Sequence, residues 1–374
     1  MPSWLKEGRG SLCGANVSLL LREMGITKPL LVAGERTKNV FFARTGMRLP
    51  VFDAFHPNPD LQDCVAGAAL YQEKGCDGLI SIGGGSAMDT AKGIKALLMT
   101  DIAHVRANQL PSEGNVPHLA IPGTAGTGAE TTAVAVLYED GQKLSVDHPA
   151  LLPDGVLLDG SLLDTLPEYH RKSCAMDALA QGIESWWAKK ATPGSRIHAE
   201  RAIRGVLDNL TAYLQGDRKA QDEMLHAAYE SGVAILTTRT TAAHAMSYQI
   251  TKKLGAAHGH ACMLTLPHLW AHLAAQAEYQ PMLTELSRIL GGEKAMDGAI
   301  LLKGLLAVLE LDKIPMPDDA TLDMLAASVN PERLGNHPEA LTTAQLRAIY
   351  VQAFTPMTDT ERAEAIAAWE QYGK

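Results

Sequence analysis

Cysteine is scarce in this chain, and the few residues present are scattered: Cys13, Cys64, Cys76, Cys174 and Cys262 are odd in number and never form a CxxC pair. That usage excludes a disulfide framework and gives no zinc-thiolate knot, and it fits the reducing cytoplasm. Long apolar runs are missing too. No stretch reaches the roughly 18 uninterrupted apolar residues of a membrane span, and the N-terminal Met-Pro-Ser-Trp-Leu-Lys-Glu-Gly has neither the basic region nor the apolar core of an export signal. Membrane insertion and export are therefore not expected. Clustered Lys/Arg runs are also absent, and the net charge is −9. A protein that tracks a phosphate backbone would show a basic patch or stripe, so no nucleic acid is expected and a small molecule is the expected partner. With 46 % hydrophobic and 20 % charged residues, the chain has the balance of a globular enzyme rather than of a disordered protein.

A chain of 374 residues exceeds what one hydrophobic core usually organises, so two domains are expected. Short apolar segments at 30–33 and 78–82, each ending in glycine, read as buried strands of a parallel sheet. Between them, 59–74 carries Leu61, Val65, Ala68, Ala69 and Tyr71 at helical spacing behind Asp60 as N-cap. Strand, helix, strand is the βαβ rhythm. A further strand is expected at 118–121, and a hairpin at 133–138 and 143–146 around Asp140-Gly141. Beyond Leu157-Leu158-Asp159 the texture changes to long amphipathic stretches at 195–214, 219–236 and 281–290, which read as helices. The expected architecture is an α/β, Rossmann-like N-terminal domain over 1–164 and an all-α domain over 165–374, the switch falling within 163–167.

Two glycine-rich loops follow strands in the first half. Gly83-Gly84-Gly85-Ser86 leads into a helix beginning Ala87-Met88-Asp89; its glycines allow close backbone approach to a pyrophosphate, and the helix start offers free N–H groups and a positive dipole end. It is not GxGxxG, so the usual dinucleotide fingerprint does not apply. The second loop, Pro122 to Glu130, contains Gly123, Gly126 and Gly128 with Thr124 and Thr127, whose hydroxyls suit phosphate or ribose. Either loop alone could be an ordinary turn. Two of them at the carboxyl ends of neighbouring strands form a ligand-binding pattern of open α/β sheets.

Candidate metal donors lie in the second half. Asp177 and Gln181 stand four apart on one helix face, and His244 and His258 lie downstream. One carboxylate, two imidazoles and an amide oxygen make a divalent-metal donor set, although each residue could equally be a satisfied core residue.

In order and separation, the motifs GGGSAMDTAK, PGTAGTGAETT, LLPDGVLLDGSLLDTLP, MDALAQGIES and HAMSYQITKKLGAAHGHACMLTLPH resemble the iron-containing alcohol dehydrogenases over nearly the whole chain. The resemblance implies a fold shared with dehydroquinate synthase, a nicotinamide cofactor in the cleft between two domains, and one divalent metal, Fe(II) or Zn(II). It implies hydride transfer between the nicotinamide and a small aldehyde or alcohol, with the metal as Lewis acid. Asp177, His244 and His258 fall on metal-ligand positions of the family. The fourth position, normally histidine, is Gln181, a weaker donor. Tyr248 stands where a histidine thought to assist proton movement is frequent, and Tyr248 or His260 is the expected relay.

Gly83, Gly84, Gly85, Ser86, Thr124 and Thr127 match the family's cofactor loops, and Asp89 belongs to the first of these motifs. NAD-preferring members carry Asp at the end of the first strand. Here that position is Gly34, followed by Arg36 and Lys38, so the resemblance implies NADP(H) in preference to NAD(H). Gln181, the ESWW stretch and the HGHA element are similar to the phosphonoacetaldehyde reductase branch of the family, which makes 2-hydroxyethylphosphonate. An anionic substrate wants cations, and Arg239, Lys252, Lys253 and Lys143 lie near the motifs, Arg239 and Lys252 being the chosen pair. A general short-chain alcohol dehydrogenase, a dehydroquinate synthase-like lyase and a non-catalytic nucleotide-binding protein are the alternatives. The resemblance also implies a homodimer or larger homo-oligomer.

Overall fold

A computed structural model describes residues 6–112 and 116–372, so the first part of the N-terminal stretch read above for an export signal lies outside the described residues. Its contacts divide the chain into two units, 1–165 and 166–374.

The first unit is built on strands β1 (Lys6–Arg9), β2 (Pro29–Ala33), β3 (Val51–Phe52), β4 (Gly78–Gly83), β5 (His118–Pro122), the pair β6 (Val134–Glu139) and β7 (Gln142–Asp147), and β8 (Gly155–Leu158). Its helices are α1 (Gly14–Glu23), α2 (Glu35–Thr45), α3 (Leu61–Glu73), α4 (Gly85–Met99) and α5 (Ile102–Arg106). Six strands form a parallel sheet in the order β1-β8-β5-β4-β2-β3. Every residue of β2, β4 and β5 is buried, because helices cover both faces of a parallel sheet; that is why these strands read as unbroken apolar runs. One core packs Leu30, Val32, Leu61, Leu79 and Ile94 on one side, and a second packs Leu31, Phe41, Ile80, Ile82 and Leu119 on the other.

The strand order has a direct consequence for ligand binding. The chain leaves β2 for β3 on one side and leaves β4 for β5 on the other, so β2 and β4 flank a topological switch point, where open α/β sheets leave a crevice at the carboxyl ends. Gly34 and the Gly83–Gly85 turn stand at that point.

The antiparallel pair β6–β7 is the hairpin expected from Asp140-Gly141. Both turn residues take positive φ, 50° and 72°, as a two-residue hairpin turn requires.

The face of α4 that turns inward carries lysine rather than leucine. Lys92, fully buried, donates from Nζ to the Ala129 carbonyl (2.7 Å), the Val134 carbonyl (2.9 Å) and Thr132 Oγ1 (3.1 Å). Burial pulls its ammonium down to about 8 against the opposing pull of Asp89 and Glu130. The lysine thus ties the segment after the second glycine loop to the helix that follows the first. Lys92→Met keeps the stem and leaves three buried acceptors without their donor. A buried acceptor left without its donor costs about 1–3 kcal/mol, and urea denaturation should show a loss of about 3 kcal/mol; a loss below about 1 kcal/mol would contradict this account of the lysine.

The second unit contains no strand among the described residues. Its first helices are α6 (Glu168–Trp187), α7 (Pro193–Leu214), α8 (Arg218–Thr238), α9 (Ala242–Gln249) and α10 (His258–Ala274), and six shorter helices follow between Gln280 and Tyr372. Thr192 caps α7 through a reciprocal pair with Ser195, and Asp217 caps α8 by accepting from the Ala220 N–H. A π-helical turn, Ile250–Leu254, ends at Gly255 with φ 74° and turns the chain from α9 toward α10. No helix among the described residues is long and apolar enough to cross a membrane.

Candidate functional site

At the end of β4, Gly83 takes φ 147°, and Gly84 is the N-cap of α4. A Cβ on Gly84 would lie 3.3 Å from Thr124 Cγ2, and one on Gly85 would lie 3.5 Å from Thr127 Cγ2. A Cβ on Gly123 would stand 3.3 Å from the Gly83 backbone, and the Gly123 N–H donates to the Gly83 carbonyl at 2.7 Å. The two glycine loops are therefore one cradle. Its floor is backbone, and the partly exposed Thr124 and Thr127 form its wall. The start of α4 supplies N–H groups and a positive dipole end there, which suits a pyrophosphate. Ser86 Oγ accepts from the Asn58 N–H at 3.3 Å.

Gly34 closes β2 and caps α2, with nothing within 4 Å of the position a Cβ would take. Arg36, exposed in the first turn of α2, donates from Nη1 to Thr165 Oγ1. Lys38 is engaged by Asp53 at 2.5 Å. Asp89 sits one turn into α4 and accepts from the Val136 N–H of the hairpin. Burial pushes its carboxyl up to about 6 against the Lys92 and Lys143 charges. This bond directs Asp89 to β6.

The second unit gathers the metal candidates. Asp177, Gln181 and Glu184 fall at i, i+4 and i+7 of α6 and share one buried face. His244 lies on α9, and His258 opens α10. His244 donates from Nδ1 to Glu184 Oε2, which leaves Nε2 3.3 Å from Asp177 Oδ1. His258 Nδ1 meets Ser247 Oγ at 3.3 Å, and Ser247 in turn donates to the His244 carbonyl at 2.8 Å. Nε2 of His258 lies 3.9 Å from Asp177 Oδ1.

Both imidazoles are thus held through Nδ1, and both turn Nε2 toward one carboxylate. With each Nδ1 tied back, each Nε2 faces the Asp177 carboxylate carrying either a ring proton, which the neighbouring anions favour by holding both imidazoles above their ordinary range, or a lone pair that a divalent metal ion can take in the proton's place. The donor set fits a divalent metal ion. The His244 and Asp177 side chains are 5 % and 4 % exposed and that of His258 is 38 % exposed, so the group opens on the His258 side. Burial lifts the Asp177 carboxyl, but His258, His244 and Gln181 outweigh it and hold the group below the ordinary range.

Two residues of this centre were not picked from the sequence. Glu184, fully buried, accepts from the Thr241 N–H (3.1 Å), Thr241 Oγ1 (2.5 Å) and the Ala243 N–H (2.8 Å) as well as from His244. It therefore caps the start of α9 and fixes the His244 ring together. Its signal was a carboxylate two turns after Asp177, inside the otherwise uncharged run GIESWW. Cys262 stands one turn after His258, and its Sγ lies 3.9 Å from His258 Nε2. One ligand atom from each of Asp177, His244, His258 and Cys262 lies within 4.8 Å of the other three. Burial raises the Cys262 thiol, but the two imidazoles outweigh burial and bring it down to about 7. Its signal was the His-x-x-x-Cys spacing on a helix.

The remaining candidates divide. Tyr248 stacks on His258, with centroids 6.2 Å apart and planes 5° from parallel. His260 is committed elsewhere: Nε2 meets the Leu311 carbonyl at 2.8 Å and Nδ1 meets the Tyr169 hydroxyl at 3.1 Å. Lys252 is exposed in the π-helical turn. Arg239 ends α8 with φ 62° and ψ 177°, a conformation costly for any residue but glycine. Its flanking carbonyls on Thr238 and Thr240 are both held by Asn336 Nδ2, at 2.8 and 3.0 Å.

A parallel-sheet unit with adjoining glycine loops at its switch point, joined in one chain to a helical unit with a buried acid-histidine centre, is an arrangement that suits a nucleotide-dependent, metal-assisted enzyme. Residues 3–160 match the model for iron-containing alcohol dehydrogenase, and residues 172–354 match the model for the C-terminal part of that family. The chain belongs to the iron-containing alcohol dehydrogenase family, a family of oxidoreductases.

Among its relatives is the NAD-dependent methanol dehydrogenase of Bacillus methanolicus, 30 % identical over 75 % of this chain and 77 % of that protein. The phosphonoacetaldehyde reductase of Streptomyces viridochromogenes is 36 % identical, over 57 % of this chain and 58 % of that protein. Several curated relatives are thus matched over less than two thirds of their length. The sulfoacetaldehyde reductase of Bifidobacterium kashiwanohense, solved in complex with NAD+, superimposes with a TM-score of 0.85 at 26 % identity, over 95 % of this chain and 97 % of that one.

Proposed function

We propose that this protein is an NADPH-dependent aldehyde reductase that converts a small aldehyde bearing an anionic head group, phosphonoacetaldehyde in the first instance, to the alcohol. The observation that carries the reading is the convergence of Asp177, His244 and His258 with both imidazole Nδ1 atoms tied back. Residues 1–164 bind the nucleotide and 165–374 the metal and substrate. The bound groups supply the chemistry: the reduced nicotinamide gives the hydride, and the divalent metal, Fe(II) or Zn(II), acts as Lewis acid.

The chain's own residues do the rest. The Gly83–Gly85 turn, Ser86, Thr124 and Thr127 hold the pyrophosphate. Glu184 and Ser247 keep the ligating lone pairs pointed inward. Tyr248, whose ring stacks on His258, is the proton carrier for the product alcohol. His260 braces the start of α10 against Tyr169.

The head group is inferred from two directions. Two of the relatives act on aldehydes whose names carry a phosphonate or a sulfonate. Arg239 is held in a strained conformation next to the segment that feeds Thr241 and Glu184, and such strain marks functional positions. Lys252 is the second cation. Five free cysteines support a cytoplasmic setting, and a homodimer or larger assembly is checked by light scattering.

The test is NADPH oxidation by metal-stripped and Fe(II)- or Zn(II)-reloaded protein with phosphonoacetaldehyde, sulfoacetaldehyde, propanal and butanal. Metal-dependent turnover with kcat/KM for an anionic aldehyde at least about tenfold above the plain ones is expected, the share of one charge-assisted hydrogen bond. Equal turnover of propanal and butanal leaves a general short-chain alcohol dehydrogenase, and turnover indifferent to metal overturns the reading.

Cofactor choice has its own test. Gly34 lacks the carboxylate that would repel a 2′-phosphate, and the exposed Arg36 lies two residues on. Arg36→Ala should lower kcat/KM for NADPH about tenfold, the share of one charge-assisted hydrogen bond, while leaving NADH unchanged. An equal fall for both cofactors would remove Arg36 from 2′-phosphate recognition.

A further inference from the structure

The fourth ligand to the metal is open to a reading that the Gln181 substitution first obscures. In the structure the Gln181 amide places its oxygen away from the centre: Oε1 lies 2.8 Å from Ser231 Oγ on α8, a hydroxyl that also lies 2.8 Å from the Ala228 carbonyl. What it turns toward the centre is Nε2, 3.4 Å from Asp177 Oδ1. An amide nitrogen has no lone pair available for a metal; it is a donor that steadies the carboxylate. Cys262 is placed differently. It lies on α10 one turn beyond His258, so the two side chains project from the same helix face. Its side chain is fully buried, and its sulfur belongs to the group of four donors within 4.8 Å of one another.

The separations can be compared with what a metal demands. Bonds of about 2.0 Å to nitrogen or oxygen and about 2.3 Å to sulfur, set tetrahedrally, put donor atoms about 3.3–3.6 Å apart. The measured separations are 3.3 Å for His244 Nε2 to Asp177 Oδ1, 3.9 Å for His258 Nε2 to Asp177 Oδ1 and 3.9 Å for Cys262 Sγ to His258 Nε2. Three edges of a tetrahedron are present to within about half an ångström, and they come from α6, α9 and α10 without Gln181.

We infer that Cys262, as thiolate, is the fourth ligand of this centre and that Gln181 acts behind Asp177 as a positioning residue. The inference rests on the metal reading above and deepens it. Two anionic donors then balance a divalent cation, and the soft sulfur favours Zn(II) over harder ions.

Cobalt spectroscopy tests this on the full-length protein, because a sulfur-to-Co(II) bond gives an intense near-ultraviolet charge-transfer band that nitrogen and oxygen donors do not. Metal-stripped protein titrated with Co(II) without oxygen is expected to develop that band and saturate at one equivalent. Gln181→Leu should keep the band and weaken Co(II) binding by no more than the about 10–100-fold typical of an outer-shell partner. Cys262→Ser should lose the band and bind Co(II) more weakly than Gln181→Leu does. Because the unsubstituted protein carries the band, the test does not depend on how well Cys262→Ser folds.

If one equivalent of Co(II) binds and restores aldehyde reduction without a charge-transfer band, Cys262 is not a ligand, and the aldehyde reductase reading stands. If Gln181→Leu abolishes Co(II) binding while Cys262→Ser leaves it intact, the assignment is reversed. If no Co(II) binds at all, the metal reading falls and this inference falls with it.

Discussion

Gly259→Ala is expected to destabilise the helical unit by about 3 kcal/mol or more, the upper end of overpacking costs, and to weaken metal binding in the same step. The reason is proximity. A Cβ at position 259 would stand 1.9 Å from the Ser173 carbonyl oxygen and 2.7 Å from both the backbone nitrogen and the Cβ of Asp177. Most of these are backbone atoms of α6, which cannot turn aside as a flexible side chain would. Relief requires α10 to lift away from α6, and α10 carries His258 and Cys262 while α6 carries Asp177. The substitution therefore opens the centre that the contact holds together. For a unit of this size 3 kcal/mol corresponds to a fall in Tm of about 6–12 °C. Calorimetry with and without Zn(II) should show both the fall and a reduced stabilisation by the metal. Gly335→Ala, where nothing lies within 4 Å, is the control and should shift stability by less than about 1 kcal/mol. A Gly259→Ala protein as stable as the parent, with undiminished response to Zn(II), would mean that α10 is not anchored through this contact.

How far the sequence reached depended on the range of the interaction concerned. The strands 30–33, 78–82 and 118–121 were legible because burial on both faces leaves continuous apolar runs, and Asp140-Gly141 announced its hairpin through turn chemistry alone. The two adjoining glycine loops were legible for the same reason: glycine at a strand end is a local signal. Helices over 195–214 and 219–236 lie within the observed α7 and α8. What the sequence could not deliver was the ordering of partners across helices. Asp89 shares a motif with the glycine turn, yet the helix rotates it onto Val136 of the hairpin. His260 is two residues from His258, yet those two positions differ by about 200° around a helix, and its ring closes on Leu311 and Tyr169. Cys262 carries no CxxC spacing and so no local signal of a site, because the groups around its sulfur come from three helices. Glu184 was hidden for a similar reason, since nothing in GIESWW says that His244, sixty residues on, will point at it.

That last pairing yields the second large effect. Glu184→Gln changes one oxygen to a nitrogen of nearly the same size and so keeps the fold. The amide oxygen of the substituted side chain can still accept from the Thr241 and Ala243 N–H groups, as Glu184 Oε1 does now. Its amide nitrogen then faces His244 Nδ1, the atom that now donates to Glu184 Oε2. Two donors cannot share that contact, so the imidazole gives up its Nδ1 proton: Nδ1 becomes the acceptor and the hydrogen stays on Nε2, facing Asp177. The ring stays in place, but a metal must now displace the only proton the ring retains, and an Nε2–H cannot ligate a metal. Metal affinity is expected to fall about 10–100-fold, the range for losing a partner behind a ligand, and turnover at limiting metal should fall with it. Excess Zn(II) should restore turnover, because binding forces the proton back to Nδ1 at the expense of the amide contact. Nitrogen-15 spectra of the histidine rings in the metal-free protein read the protonation of each ring nitrogen directly, Nδ1 losing its proton in Glu184→Gln, and thermal unfolding reports whether the fold is intact. A folded Glu184→Gln protein that binds Zn(II) as tightly as the parent would show that Glu184 serves α9 as a cap and leaves the ligand state of His244 to the metal alone.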